Sequence, residues 1–268
     1  MNTQSVASVV EPLIVQRRRE HVAYLTLNRP AQYNALSEEM MAAVHSALDA
    51  IAADSSVRVL VLAGAGKAFC AGHDLKQMKS NPDLHYYHQL FEQCSRLMLR
   101  IQSLPQPVIA RVHGIATAAG CQLVAMCDLA VAAENARFAV SGINVGLFCA
   151  TPSVPLSRNV SRKTAFEMLV TGEFIDARAA VQRGLVNRCV PADRLDQETD
   201  ELAASIVAKP PSVVAAGKAL FYRQLELGIP AAYALAGIAM ARNMSDDVAQ
   251  EGVAAFIEKR APSWSIDS

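Results

Sequence analysis

The chain has 268 residues, of which 52% are hydrophobic and only 19% charged. That composition excludes a disordered or charge-solvated chain, and the length allows one large domain or a domain with an appendage. Lys plus Arg and Asp plus Glu each number 25, and this zero balance argues against a nucleic-acid or anionic-membrane partner, because both call for a basic excess.

The first dozen residues are small and polar and read as a loose lead-in. They lack the order of a secretory signal, since Arg17-Arg18-Arg19 follow the apolar stretch instead of preceding it. Leu13–Gln16 and Ala23–Leu27 read as two strands around a charged turn. Ser37 caps a helix with Glu38 and Glu39 in its first turn, where acids suit the positive helix end. Its apolar stripe runs through positions 40, 41, 44, 48 and 51. Val57–Ala63 is an almost wholly apolar run, as a buried parallel strand requires. A glycine-rich loop, Gly64 to Asp74, comes next.

A helix is expected from Asp83 to Ser103, stopped by Leu104-Pro105-Gln106-Pro107. Val108–Val112 reads as a buried strand, Gly114 opens a loop, Ala119–Met126 is a helix and Leu129–Ala133 a strand. Alternation continues to about Val190. Beyond Pro191 the pattern is helical over 193–208, 211–226, 231–243 and 246–259, with breaks at Lys209-Pro210-Pro211 and Gly228-Ile229-Pro230. The chain is therefore expected to be an α/β body with a helical tail.

The six cysteines contain no C-x-x-C pair and read as buried or site thiols in a reducing compartment. The six histidines form no H-E-x-x-H or Cys/His ligand spacing, so no metal is expected. The longest apolar run, Gly114 to Cys127, is shorter than the ~18 residues that a membrane span needs. A cytoplasmic protein without a membrane partner is expected.

Gly64-Ala65-Gly66-Lys67 is not a phosphate loop, because Ala68 follows the lysine and the G-x-x-x-x-G-K spacing is absent. Two other loops carry more chemistry. Phe69-Cys70-Ala71-Gly72-His73-Asp74-Leu75 follows a buried strand, and Val112-His113-Gly114 through Gly120-Cys121-Gln122-Leu123 joins a strand to a helix. Small residues admit a ligand close to the backbone. Free N–H groups at a helix start can hold a developing negative oxygen. Tight packing alone would also account for these alanines and glycines.

At these residues the sequence resembles the crotonase superfamily, the enoyl-CoA hydratases and isomerases. The resemblance runs from about Val15 to Trp264. It includes Asn28-Arg29-Pro30 with Asn34-Ala35-Leu36, the two loops above through Cys127-Asp128, and Thr171-Gly172-Glu173. Further along it takes in Arg183-Gly184-Leu185-Val186, and Glu251-Gly252 with Phe256-Ile257-Glu258-Lys259-Arg260. It implies an α/β crotonase-type spiral of repeated ββα units over 13–208, binding acyl-CoA. It also implies a C-terminal helical region over 209–268 that mediates a homotrimer or a dimer of trimers. By the same resemblance the backbone N–H groups of His73 and Ala119 form an oxyanion hole for the thioester carbonyl. Ala71 lies against the adenine, and Lys76 and Lys259 lie near the CoA phosphates, Lys259 reaching in from a neighbouring subunit. Coenzyme A enters as substrate or ligand, and no resident cofactor is implied.

Hydratases of the family use two glutamates. The resemblance places Gln122 at the first position and Gly142 at the second. An amide takes up no proton near neutral pH, and glycine has no side chain. The resemblance thus implies that the binding half of the machinery is kept and the acid–base half is missing, so weak or absent hydration is expected. Three functions remain open: a hydratase or isomerase with a relocated base, His73 being the candidate; another enolate-stabilising reaction such as thioester hydrolysis, decarboxylation or carbon–carbon cleavage; and non-catalytic acyl-CoA binding. Cys149 and Thr151 are expected to border the same cavity, with Cys149 read as packing. Asp74 and Asp128 are expected to hold loops. A gain of hydration in Gln122→Glu with Gly142→Glu would mean that only the carboxylates are missing, and a silent double variant that still binds CoA would mean that the cavity shape differs too.

Overall fold

The computed structural model describes residues 11–264. The loose lead-in read from the sequence lies almost entirely outside the described residues. β1 (Ile14–Arg19) and β2 (Val22–Leu27) form an antiparallel hairpin with Ile14 opposite Leu27. α1 (Glu38–Ala53) starts where expected: Ser37 Oγ accepts the Met40 N–H, and the helix buries Met40, Met41, Val44, Leu48 and Ile51. The chain then runs through β3 (Val59–Gly64), β4 (Ala68–Cys70), α2 (Leu75–Ser80), α3 (Leu84–Ser103), β5 (Val108–Val112), β6 (Ile115–Thr117) and α4 (Ala119–Met126). It continues as β7 (Leu129–Ala133), β8 (Arg137–Ala139), α5 (Ala150–Asn159), α6 (Arg162–Thr171), β9 (Ile175–Asp176), α7 (Ala177–Gln182) and β10 (Arg188–Val190). The helical tail comprises α8 (Leu195–Val207), α9 (Pro211–Leu225), α10 (Ile229–Ser245) and α11 (Asp247–Glu258).

The strands form two sheets, in the orders β1-β2-β3-β5-β7-β10 and β4-β6-β8-β9. Successive turns of the chain put β3, β5 and β7 side by side and parallel in the first sheet, and β4, β6 and β8 side by side and parallel in the second. Each turn thus adds one strand to each sheet, which is the stacked ββα spiral. β3 is buried along its whole length because both of its faces are covered. Leu60, Leu62, Val108 and Ala110 face the main core with α1 and α3, while Val59, Val61, Ile109 and Val131 pack under Leu195, Ala203 and Val207 of α8. No helix among the described residues is long and apolar enough to cross a membrane.

In the sequence the stretches holding β4 and β6 read as loop. Three-residue strands are too short to display a period of two, and their pairing partners are remote in sequence.

α9 is tied to the body by a buried ion pair. Lys218 Nζ donates to Asp128 Oδ2 at 2.7 Å and to the carbonyls of Ile101 and Gln106. Asp128 also accepts from the Val108 N–H and the Tyr222 hydroxyl. Burial pushes the Lys218 pKa down, while Asp128 opposes the shift. The next two helices, α10 and α11, leave large apolar groups uncovered: Tyr233 is 77% exposed, Met240 78% and Phe256 85%. Removing the lysine strands a carboxylate in a low-dielectric site, so Lys218→Met is expected to cost about 3–5 kcal/mol of stability. Urea unfolding checks this; a loss below about 1 kcal/mol would mean that Tyr222 and the Val108 amide suffice for Asp128.

Candidate active site

Residues 33–36 set the position of the first loop. Asn34, fully buried, sits at φ +55° and gathers the loop with its side chain. Its Nδ2 donates to the carbonyls of Ala65 and Ala68 at 2.8 Å and of Phe69 at 3.2 Å, and its Oδ1 accepts the Arg29 N–H. The Ala71 N–H donates to Tyr33, the Leu36 N–H to Gly72 and the Asp74 N–H to Leu36. In that parallel pairing the N–H of His73 turns away from Leu36, and it has no protein acceptor among the described residues. Asp74 locks the far side: it caps α2 through the Lys76 and Gln77 N–H groups and pairs with Arg29 at 2.7 Å.

The second loop meets the first at Gly72. This glycine has φ +93°, and a methyl group on it would lie 2.8 Å from Ala118 Cβ and 3.2 Å from the Ala119 nitrogen. Gly120 is equally constrained, because a Cβ there would lie 2.0 Å from the Cys70 carbonyl oxygen. Any larger residue at either position separates β4 from the start of α4. Ala118 precedes α4 at φ +51°, ψ −121°, a conformation that costs a non-glycine residue about 1–3 kcal/mol. Ala119 is the first residue of the helix, so its N–H has no partner within it.

His73 and Ala119 line one cavity of about 240 Å³, together with Ala71, Ser141, Gly142, Cys149 and Thr151. Leu75, Met78, Phe91, Leu147, Phe148 and Pro152 complete a largely apolar wall, and no lining residue is charged. Two unpartnered amides on an apolar cavity can hold an oxygen that gains negative charge. A larger groove, about 710 Å³, lies between α3 and α9. Its basic side chains are already engaged: Arg96 pairs with Glu92 and Arg100 with Asp49, and His45 Nδ1 lies 3.3 Å from the same Asp49 carboxylate.

Over residues 17–266 the chain matches the family model described as enoyl-CoA hydratase/isomerase. The chain belongs to that family. Among its relatives, the mitochondrial enoyl-CoA hydratase domain-containing protein 3 of Xenopus laevis is 44% identical, covering 95% of this chain and 86% of the relative. A putative enoyl-CoA hydratase of Thermus thermophilus is 37% identical over 94% of this chain and all of its own length. The crystal structure of a Mycobacterium smegmatis enoyl-CoA hydratase superposes with TM-score 0.94 at 64% identity, covering 95% of this chain and 99% of that one. The human enoyl-CoA hydratase domain-containing protein 3 superposes with TM-score 0.92 at 42% identity, covering 94% and 100%.

Against this family background the remaining site residues separate. Ala71 lines the cavity. Gln122, on the first turn of α4, is 4% exposed, its Oε1 has no partner, and it is not among the cavity-lining residues. Lys76 on α2 and Lys259 at the end of α11 are exposed and stand outside the cavity of this single chain. Gly142 does line it, but residues 142–149 fold back on themselves. A Cβ on Gly142 would lie 2.5 Å from the Leu147 carbonyl oxygen and 2.7 Å from Cys149 Sγ. The loop therefore leaves no room for a glutamate at position 142 without moving backbone.

His73 does not suit the role of relocated base. Its ring meets Phe91 edge-on at 5.4 Å between centroids, and neither ring nitrogen has a hydrogen-bond partner. Burial pushes its pKa down to about 4, so the imidazole is neutral at physiological pH and weakly basic. Asn34 builds the site although the sequence marks it only as part of the Asn34-Ala35-Leu36 stretch that carries the resemblance. Its role depends on three carbonyls more than thirty positions away.

Between pH 6.5 and about 4 the unfolded chain binds a proton at His73 that the folded chain does not. Stability is therefore expected to fall as pH drops through this window, by on the order of 3 kcal/mol from this residue. Urea midpoints measured across the window for the wild type and His73→Gln check it. Equal acid sensitivity in the two proteins removes His73 as the cause.

Proposed function

We propose that the chain binds acyl-CoA thioesters and stabilises their enolates through the backbone N–H groups of His73 and Ala119, and that it hydrates enoyl-CoAs weakly. The observation that carries this reading is the pair of unpartnered amides on a cavity with no carboxylate in its wall. An enolate forms whenever a thioester loses an α-proton or its conjugated double bond is attacked, and such a cradle lowers the barrier to that step. The ordinary hydration route also needs groups that move protons, each worth ~10²–10⁴ in rate. Gln122 and Gly142 supply none.

The apolar wall favours an uncharged acyl chain over one ending in a carboxylate, because no lining cation would pair with it. The adenine contact of Ala71, and phosphate contacts by Lys76 and by Lys259 of another subunit, belong to this proposal. So does assembly through residues 209–268. Apolar exposure on α10 and α11 supports it, since water leaves such faces uncovered at a cost of roughly 25 cal/mol per Å². A second reading, non-catalytic acyl-CoA binding, is favoured by the closed 142–149 loop.

Calorimetry with butyryl-CoA and a crotonyl-CoA hydration assay test both. Binding is expected, with hydration at least ~10²-fold below that of a two-glutamate enzyme. Failure to bind ends both readings, and fast hydration ends the account of the missing acids. Gly72→Ala is expected to spread the two amides and weaken butyryl-CoA binding by about tenfold or more, with far-UV circular dichroism unchanged. Undiminished affinity in that variant would detach binding from the amide pair.

A further inference from the structure

We propose that Cys149 is a reactive group of this cavity and that its thiol adds to the β-carbon of an α,β-unsaturated acyl thioester bound there. The proposal rests on the acyl-CoA reading given above.

Four observations bring the sulfur to the site. Cys149 lines the same cavity as His73 and Ala119. Its Sγ accepts the Gly142 N–H at 3.3 Å and takes the space that a side chain at position 142 would need. It is the N-cap residue of the ten-residue helix α5, whose positive end favours developing thiolate character. His73, on the same cavity, has two buried ring nitrogens without partners.

The other cysteines are placed differently. Burial pushes the thiols of Cys70, Cys94 and Cys121 up to about 12, raises that of Cys127 as well, and none of the four lines the cavity. Cys189 lies on β10, also away from it. Burial raises the Cys149 thiol too, but the Gly142 N–H opposes the rise.

The chemistry balances without an added reagent. A bond forms between sulfur and the β-carbon. The π electrons of the carbon–carbon double bond shift onto the thioester oxygen, where the two amides hold the enolate. The enolate then collapses, and the proton lost by the thiol ends on the α-carbon. The product is a thioether whose mass equals protein plus enoyl-CoA. Run backwards, the same steps release the enoyl-CoA. This is the electron movement of hydration with sulfur in place of water oxygen, and it asks for no carboxylate to activate a water.

The test incubates the full chain with crotonyl-CoA, quenches in acid and reads the intact mass. The expected result is a gain of one crotonyl-CoA, mapped to the peptide containing Cys149 and absent with saturated butyryl-CoA. The adduct is expected to fall at least about tenfold in Cys149→Ser. Serine keeps the size and can still accept the Gly142 N–H, so loss of the adduct in that variant reads the thiol and not the packing of the loop. If butyryl-CoA binds but crotonyl-CoA leaves no adduct at Cys149, the thiol proposal is overturned and the acyl-CoA reading stands. If butyryl-CoA does not bind either, both fall. An adduct confined to Cys189 also overturns the proposal.

Discussion

The arrangement depends on one pairing: residues 33–36 laid in parallel against residues 71–74. The Leu36 amide takes the Gly72 carbonyl and the Asp74 amide takes the Leu36 carbonyl, which leaves the His73 amide facing the other way. Asn34 binds the preceding carbonyls, so the loop cannot drift outward. Everything after it has to approach this fixed edge. Gly72 and Gly120 are the two places where the approach is too close for a side chain. The spiral supplies the remainder, because β4 and β6 are neighbours in the small sheet and deliver the two loops side by side. A hydrogen-bond donor made of main-chain atoms is preorganised by the fold itself and loses no side-chain entropy on use.

The region around Gly142 is filled by its own loop. The Leu147 carbonyl and the Cys149 sulfur occupy the space that a side chain at position 142 would enter. The first position tells a different story. Gln122 keeps the size and shape of a glutamate and remains buried with an unsatisfied oxygen. Position 122 thus accommodates a side chain of glutamate size, whereas position 142 leaves no room for one.

Much of the fold was legible because long elements carry long periods. The stripe of α1, the apolar runs of β3 and β5 and the Pro-marked helices of the tail all stand in the sequence with their boundaries off by only a few residues. The small sheet was not legible as strands, since Ala68–Cys70 and Ile115–Thr117 are too short to repeat anything. For the site, the two loops and their small residues could be picked out, and the resemblance supplied which amides to consider. What sequence could not supply was direction. Whether the His73 ring faces substrate or Phe91, and whether space exists at Gly142, are matters of rotamer and backbone path. The same holds for Lys218 and Asp128, ninety positions apart, whose pairing fixes α9 to the body.

Ala118 carries a further implication. It holds a backbone geometry natural to glycine while bearing a methyl group, immediately before the second amide donor. The folded chain therefore gives up free energy at this point to keep a stiffer residue there. Selection for heat resistance alone would favour glycine here, relaxing the hinge and blurring the aim of the Ala119 N–H. Durability and accuracy of this loop pull in opposite directions, and the alanine records which of them the sequence keeps.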